Sequence, residues 1–561
     1  MKKLGILLFI LSIAISLNAT NYYVAPATAT PAGNDGNPGT IGAPWLTWGK
    51  GFSSVSSGDT VFFRGGNYPI SVTTGYGYRV FVSGSVGGRT CYTNYPGEVP
   101  VLDCYAAVPS VGSGTLNQGI RGSGSYIHFR GLTVINVRQT KPTDEVVAFY
   151  FSGSNNIIEN CTVRDAGGVG FGYYGGQNSL FLNCDAYNCC DSLTAAMPGN
   201  DGAGFRPHNW TDNTATLTLR YCRAWNCGDQ GFSAGYIGLL TYDGCWSFDN
   251  GQLQGEGHGF KQGWINTVTP DMIHRIYKNC IAANNDRQGF TTNDGGYAAG
   301  GMQLYNNTSY HNASYGFMIY NTTSSDAQEL LRDYKNNISY ANTAGATYIA
   351  ANALYTHSYN TWDHSPPLPP MNDNQFLSVD STGITGPRQA DGSLPDIDFL
   401  KLSSTSMFID AGTDLGEGDD IGAYQYVAPG VDEEAATVFT TSVYAGTNYA
   451  NVGVYVYDQG SAEVTARGVC WSITPGPTIY NNKTSNGTGT GEFIATITGL
   501  LEGTLYYVRS YATNSVETAY SEVEYSFTTK KSGSGSLIQR QIGTHNGILR
   551  YDARTNKWIY L

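Results

Sequence analysis

The sequence predicts an all-β protein in which a long parallel β-solenoid is followed by a small β-sandwich. Three observations support this prediction. A short phrase recurs with equivalent residues between positions 160 and 342. The composition favours strands and tight turns, and residues 437–529 show alternating strand patterns separated by turn signals.

The recurring phrase defines two columns of small residues. The anchor column is Cys161, Cys184, Cys222, Cys245, Cys280, Asn307 and Asn337, and the second column is Cys189, Cys227, Asn250, Asn285, Asn312 and Asn342. Successive anchors lie 23, 38, 23, 35, 27 and 30 residues apart, which suits solenoid coils with loops of varying length. Because stacked strands place equivalent side chains about 4.8 Å apart, we expect Asn ladders in which Cys fills the same volume. Metal ligation is the weaker alternative, since the Cys spacing matches no metal motif.

A third column is a Gly-Phe step that normally follows the anchor by ten residues, at Phe171, Phe232, Phe290 and Phe317. Two coils carry insertions before this step, so that Phe205 and Phe260 follow their anchors by twenty-one and fifteen residues. Insertions on one side of a solenoid usually build the binding face. We therefore expect the functional site beside these two loops.

Composition and charge narrow the classes of function. Charged residues make up 13% of the chain, whereas Gly (71) and Tyr (41) are abundant, as expected of many short strands. The net charge of −13 argues against nucleic-acid binding and would repel a polyanion unless cations are concentrated locally. To bind an acidic polysaccharide, the protein would therefore need a local cluster of positive charge.

The N-terminal segment has the features of an export signal. Met1-Lys2-Lys3 precedes a short apolar run, and we assign residues 1–19 to a signal peptide. No later segment is long and apolar enough to span a bilayer. We expect a bacterial extracellular protein, secreted or at the cell surface, without a transmembrane segment and monomeric.

Three further segments resemble known modules. Residues 33–68 look like the capping first coil of secreted right-handed β-helix proteins, and residues 398–426 look like a closing coil. This predicts a right-handed parallel β-helix over 20–428 and a linker over 429–436. Residues 437–529 resemble the fibronectin type III modules of exported bacterial enzymes, with Cys470 in the core, and the basic tail 530–561 has no assigned role.

Cys91 and Cys104 stand apart from the two columns. An exported protein meets an oxidising compartment, so this pair is a candidate disulfide. The sequence leaves the bridge and two free thiols as equal alternatives.

The phrases DGAGF, GDQGFS and EGHGFKQG resemble the active coils of the family-nine polysaccharide lyases, which are right-handed β-helix enzymes that cleave pectate by β-elimination. The resemblance covers roughly residues 140–345. It implies that Lys261, directly after Gly-Phe, is the general base. It also implies a calcium site, whose four Asp positions correspond here to Ala203, Asp229, Gln230 and Ser233. Since Asp229 is the one retained carboxylate and calcium prefers six to eight oxygen ligands, we expect that the calcium site is lost.

Elimination still needs a positive group to neutralise the uronate carboxylate beside the acidic C–H. Arg206 is the candidate, because it lies two coils before Lys261 in the same predicted column, with the two Cα atoms roughly 10 Å apart. Asp229 would orient this site, and Arg287 would add positive charge for substrate binding. Without the resemblance, Lys261 would read as an ordinary solvated residue.

Three more residues are candidates for substrate contacts. Strict alternation places His258 with Phe260 and opposite Lys261 unless the chain turns at Gly259, so a structural His is favoured over a catalytic or substrate-binding one. Trp264 and Tyr236 could stack on sugar rings, with core packing as the alternative.

The leading hypothesis is a secreted polysaccharide lyase that cleaves a uronate-containing, pectate-like polymer with Lys261 as base. The alternative is a non-catalytic β-helix that binds glycan or mediates adhesion with a degenerate lyase site. A hydrolase with paired carboxylates is weaker, because Asp229 has no evident partner, although Asp201 and Glu256 lie in the inserted loops.

Overall fold

The computed structural model describes most of the chain and divides it into a first unit that ends at Tyr426 and a second unit after it. The described residues are 20–70, 76–85, 88–106, 116–194, 197–209, 211–236, 238–263, 272–292, 301–319, 332–350, 355–389, 392–415, 418–426, 435–521, 523–531, 549–552 and 557–560. The predicted signal peptide and most of the basic tail therefore lie outside them.

The first unit is a parallel β-helix in which each coil adds one strand to each of three sheets. The described strands of the first sheet are Asn21–Val24, Thr60–Phe63, Thr90–Asn94, Ile127–Arg130, Ile157–Glu159, Ser179–Leu182, Thr216–Arg220, Leu239–Asp243, Ile273–Lys278, Gly301–Tyr305, Arg332–Lys335 and Thr356–Ser358. Those of the second sheet are Tyr76–Val80, Leu116–Gly122, Glu145–Phe151, Val169–Tyr174, Phe205–Asn209, Gln230–Phe232, Gly235–Tyr236, His258–Lys261, Phe290–Thr291, Tyr315–Ile319 and Gly345–Ile349. Those of the third sheet are Gly66–Pro69, Pro100–Asp103, Thr133–Ile135, Thr162–Arg164, Asp185–Tyr187, Arg223–Trp225, Trp246–Phe248, Ile281–Ala283, Thr308–Tyr310 and Ile338–Tyr340.

The bend from the first to the third sheet explains why Asn so often precedes the anchor column. The residue before each anchor has a positive φ: Asn160, Asn183, Tyr221, Gly244, Asn279, Asn306 and Asn336, with φ between 52° and 62°. Gly and Asn adopt this left-handed conformation at lower cost than other residues. The repeat therefore specifies the bend as well as the buried side chain behind it.

Both Asn ladders are present inside the β-helix. Asn285 Nδ2 donates to Asn312 Oδ1, and Asn312 Nδ2 donates to Asn342 Oδ1, both at 2.9 Å. In the anchor column, Asn307 Nδ2 donates to Asn337 Oδ1 at 2.9 Å. The Cys residues of both columns are buried and free. The predicted internal stacking is confirmed.

Replacing Asn312 by Ala should destabilise the β-helix strongly. Asn312 is fully buried, donates to Ala282 O (3.0 Å) as well as to Asn342, and accepts from Asn285 N (3.0 Å). The substitution leaves these buried groups unpaired, so we expect a loss of about 4 kcal/mol in the free energy of unfolding. Denaturant unfolding measures it, with the exposed Asn374→Ala as a control that should change the free energy by less than about 0.5 kcal/mol. Equal effects of the two variants would contradict the ladder's role.

The two ends of the β-helix differ in how well the sequence predicts them. At the N-terminal end the helix Trp48–Ser53 buries Trp48 and Phe52 in the main core, as expected of a cap. The described residues of 398–426 add no strand to the three sheets, in contrast to the closing coil expected there. Their apolar residues Phe399, Phe408 and Ile421 instead form a separate cluster with third-sheet residues, among them Trp225, Phe248 and Ile281.

An ion-pair network fastens the chain directly before this segment to the third sheet. Asp185 pairs with Arg223 at 2.8 Å and with Arg388 at 2.7 Å. Arg223 also donates to the backbone oxygen of Ile384 at 2.9 Å. The 3₁₀ helix Asp373–Gln375 also precedes residues 398–426. Apolar third-sheet side chains that point away from the β-helix interior are thereby covered.

Cys91 and Cys104 are both free, so the open question of their disulfide is answered in favour of two thiols. Cys91 lies in register with His128 of the next coil, whereas Cys104 is buried in the core beyond the third-sheet strand Pro100–Asp103.

The second unit contains the predicted β-sandwich. Among its described strands, Thr437–Ala445, Tyr449–Asp458 and Gly491–Thr498 form one antiparallel sheet, and Ala466–Ser472, Asn482–Lys483, Leu505–Thr513, Thr518–Tyr520 and Tyr525–Thr528 form the other. Val452, Ile497 and Val508 lie in its core, and Cys470 is buried as expected. A hairpin of Leu549–Asp552 with Lys557–Tyr560 follows.

Candidate functional site

The candidate site lies on the outer face of the second sheet, above a stack of Phe rings. Consecutive rings of Phe171, Phe205, Phe232, Phe260, Phe290 and Phe317 stack with centroids 4.8 to 5.0 Å apart. This spacing matches the separation of neighbouring parallel strands. The Phe column therefore locks the register of the residues that follow it.

The residue after each Phe points outward, which places Arg206, Ser233 and Lys261 in one row. Phe205 pairs with Phe232, and Phe232 with Phe260, in the strand register. Lys261 continues in register with Thr291 and then Met318. The predicted column is confirmed, with Arg206 two coils from Lys261.

The two inserted loops pack against each other beside this row. Gln254 N donates to Pro198 O at 2.8 Å, and a side chain on Gly199 would collide with Gln252 O. Each loop carries a carboxylate that contacts the row. Asp201 of the first loop contacts Arg206, and Glu256 of the second contacts Lys261.

Glu256 is the partner of Lys261. Its Oε2 forms an ion pair with Lys261 Nζ and accepts a hydrogen bond from Gln230 Nε2 at 2.9 Å. The same oxygen lies 3.4 Å from His258 Nε2. The side chain of Lys261 is 11% exposed, so this contact forms largely out of water. Glu256 thus connects Lys261 with Gln230 of the neighbouring strand and with His258 of the same strand.

Arg206 meets two carboxylates. Its guanidinium lies 3.2 Å from Asp201 Oδ1 and 3.7 Å from Asp229 Oδ2. Asp229 also accepts a hydrogen bond from Glu256 N at 3.1 Å. Burial raises the pKa of Asp229 to about 7, aided by the nearby Glu256 and opposed by Arg206. Asp229 therefore links the Arg206 and Lys261 halves of the site.

His258 differs from the strict-alternation prediction. It is fully buried, yet its contact with Glu256 places it on the side of Lys261 and not with Phe260. The chain turns at Gly259, where an added Cβ would face the interior at 3.0 Å from Asn285 Nδ2. Gly259 and the buried Phe260 thus both face the interior, so the strict alternation is interrupted at Gly259.

The other predicted substrate contacts have different outcomes. Tyr236 is fully buried in the main core and donates to Gly176 O at 3.2 Å, so its assignment to sugar stacking is wrong. Trp264 lies outside the described residues. Arg287 is exposed one coil beyond Gly257, to whose backbone oxygen its N donates at 2.9 Å.

The donor set at the predicted calcium positions does not fit calcium. Ala203 offers no side-chain oxygen, and Gln230 directs its amide nitrogen to Glu256. Asp229 already faces the Arg206 guanidinium. The one carboxylate retained at these positions is therefore paired with a cation of the protein. A separate acidic group in the C-terminal segment, Asp410, Asp419 and Asp420, brings its carboxylate oxygens within 4.8 Å of one another and could hold a metal ion.

Sequence reasoning missed the role of Glu256. Its position five residues before Lys261, in an inserted loop, gave no periodic signal. The sequence did contain one indication of this role. The inserted loop ends directly before the Gly-Phe step, so its last residues must lie near Lys261.

Comparisons with known proteins identify the relatives of this chain. The family model described as "Pel9A-like, right handed beta helix region" matches residues 22–348. Pectate lyase L of Paenibacillus polymyxa (strain SC2) is 30% identical over 429 residues, which cover 72% of this chain and 85% of that protein. Pectate lyase L of Dickeya dadantii (strain 3937) is 28% identical over 427 residues, 72% of this chain and 90% of that protein.

Solved structures agree. The crystal structure of pectate lyase Pel9A matches with a TM-score of 0.57 and 25% identity, covering 73% of this chain and 97% of that one. A rhamnogalacturonan lyase matches with a TM-score of 0.55 and 25% identity, covering 69% and 97%. The β-helix is therefore right-handed, as predicted. In the described part of the chain no helix is long and apolar enough to cross a membrane.

Proposed function

This chain belongs to the Pel9A-like right-handed β-helix family and is a polysaccharide lyase, and we propose that it cleaves a uronate-containing polymer by β-elimination with Lys261 as the base. The observation that carries the proposal is the row of the second sheet in which Arg206 and Lys261 lie two coils apart and are joined through Asp229 and Glu256. The similarity to a pectate lyase and to a rhamnogalacturonan lyase supports a uronate-containing substrate.

Arg206 performs the first task of the elimination. A uronate carboxylate withdraws electrons from the neighbouring C5–H most strongly when its own negative charge is neutralised. The Arg206 guanidinium pairs with that carboxylate, and Asp229 holds the guanidinium in place from the other side. The C5 proton becomes acidic enough for an amine base.

Lys261 performs the second task. Its neutral amine takes the C5 proton, the electron pair forms the C4–C5 double bond, and the C4–O bond to the leaving sugar breaks. The leaving oxygen takes a proton from the neutral Glu256 carboxyl, which restores the Lys261–Glu256 ion pair. In the free protein Lys261 is paired with Glu256, and this pair must first give a neutral amine.

Glu256 provides the route to the neutral amine. When a polymer covers the site and excludes water, a contacting ammonium–carboxylate pair loses hydration that favoured the charged forms. Transfer of the Lys261 proton to Glu256 then leaves two neutral partners beside the incoming uronate. Gln230 and His258 hold Glu256 in position for this transfer.

We expect the lyase reaction to be insensitive to chelators. Arg206 supplies the positive charge, and the donor set around Asp229 does not fit calcium, so treatment with EDTA should change the rate by less than about twofold. The assay follows the absorbance of unsaturated products from polygalacturonate and from rhamnogalacturonan. A loss of activity on chelation that added calcium restores would show that metal charge is needed.

We further propose that residues 1–19 direct export, so that the enzyme acts outside the bacterial cell, secreted or at its surface. We also propose that it acts as a monomer. The charged start and short apolar run of this segment support export. Cell fractionation of the native host with an antibody to the β-helix tests it, and retention in the cytoplasm would contradict it.

A further inference from the structure

The row that contains Arg206 continues over several coils toward the N-terminus. The strand register pairs Arg206 with Gly172, Gly172 with Tyr150, and Tyr150 with Arg121. Arg121 in turn pairs with Arg79. With about 4.8 Å between neighbouring strands, the row reaches roughly 20 Å from Arg206. Three of its side chains are cations in a chain whose net charge is −13.

Two Tyr rings fill the middle of this row. The rings of Tyr150 and Tyr174 stack with centroids 4.2 Å apart and planes 15° apart. Gly172 makes this possible, because a Cβ there would lie 2.8 Å from the Tyr174 ring. Both Tyr side chains remain partly exposed. The exposed part of the pair consists of ring edges, since the faces are in mutual contact.

One cation and one neutral imidazole lie beside the two Tyr rings. The Arg121 guanidinium lies over the Tyr150 ring, 5.2 Å from its centroid, which is a cation–π contact. At the other end the His208 ring lies 5.5 Å from that of Tyr174. Burial and the nearby Arg206 lower the pKa of His208 to about 4, so this imidazole is neutral at ordinary pH. The positive charge of the row therefore comes from the Arg residues.

On the C-terminal side of Lys261 the same row carries uncharged side chains. There the outward positions carry Thr291, Met318 and, in the following coil, Tyr348. These side chains are uncharged. A polyanion that lies along the sheet therefore finds cations on the N-terminal side of the reacting unit and none in these three outward positions.

We propose that Arg79, Arg121, Tyr150 and Tyr174 form a binding row for the carboxylates of a uronate polymer, several sugar units from the bond that is cleaved. A hexuronate unit advances along its polymer by about the distance between coils, so successive units can lie over successive strands. Arg121 and Arg79 pair with carboxylates, and the Tyr hydroxyls bind sugar oxygens. The proposal rests on the proposed function and extends it to chain-length preference.

Binding to a cleavage-deficient protein tests the row. Calorimetry with Lys261→Ala and galacturonate octamer should show about tenfold weaker binding when Arg121→Gln is added, because one charge-assisted contact is lost. Binding of the dimer, which is too short to span from Arg206 to Arg121, should not change. Arg121→Lys should recover part of the octamer affinity, since it keeps the charge.

A matched control is Arg130→Gln on the first sheet, whose side chain is 54% exposed and lies 3.6 Å from Glu159. It removes the same charge from another face and should leave octamer affinity unchanged. Equal losses for Arg121→Gln and Arg130→Gln, with thermal unfolding unchanged in both, would overturn the row. In the Lys261-intact protein, Arg121→Gln should raise KM for polymer about tenfold at constant kcat.

The outcomes separate the two proposals. If no uronate polymer is bound or cleaved, the proposed function fails. If polymer is cleaved by the unaltered protein while Arg121→Gln leaves octamer affinity and KM unchanged, the row alone fails.

Discussion

Replacing Lys261 by Ala is expected to lower kcat on a uronate polymer by about a thousandfold or more. A positioned general base contributes roughly 10² to 10⁴ in rate, and no other amine stands in the Arg206–Ser233–Lys261 row to replace it. Substrate affinity should change much less, because Arg206 and the extended row still hold the carboxylates. Initial rates from the absorbance of unsaturated products, with KM determined separately, measure both effects.

Lys278→Ala is the matched control. Lys278 lies on the first sheet and is 3.6 Å from Asp243 Oδ2, so the variant removes an ion-paired Lys from a different face. It should leave kcat unchanged. If Lys261→Ala keeps a tenth or more of the activity while Lys278→Ala behaves as the unaltered protein, Lys261 is not the base.

Replacing Arg206 by Gln is expected to lower kcat by about 10² to 10³, the range seen when one charge-stabilising donor is removed. The uronate carboxylate would keep its charge, and C5–H would become less acidic. Arg206→Lys should retain more activity than Arg206→Gln, and added guanidinium ion should restore part of the lost rate to Arg206→Gln. These comparisons separate the substrate role from a structural one.

Asp201→Asn provides the control for Arg206. Asp201 touches the Arg206 guanidinium but is 66% exposed, so its ion pair contributes little stability in water. We expect less than a threefold change in kcat. If Asp201→Asn and Arg206→Gln impair catalysis equally, the ion pair itself would be the important element.

The repeat made much of the fold predictable. Asn or Gly before the anchor, a small buried residue at it, and Phe ten residues later each have a physical reason in stacked coils, and the structure confirms the columns at Asn312 and Phe260. Because the columns fix register, the sequence could also predict that Arg206 and Lys261 share a row.

Where the repeat ends, prediction became unreliable. The segment 398–426 has apolar residues without the coil period, and it covers third-sheet side chains such as Trp225. Tyr236 was misassigned because in a chain with 41 Tyr the residue type does not distinguish a core ring from a sugar-binding one. Glu256 was missed as a partner of Lys261 because inserted loops follow no period and their contacts depend on tertiary packing.

The most direct test of the proposed mechanism is mass spectrometry of the products formed from polygalacturonate or rhamnogalacturonan in ¹⁸O-labelled water. Elimination breaks the C4–O bond without adding water. When the reaction is quenched before the new reducing ends exchange oxygen with the solvent, the account predicts unsaturated products free of the label, and about a thousandfold fewer of them from Lys261→Ala. Products that are saturated and carry one ¹⁸O per cleavage would show hydrolysis by carboxylates such as Asp229 and Glu256. That result would contradict the roles assigned to Arg206 and Lys261.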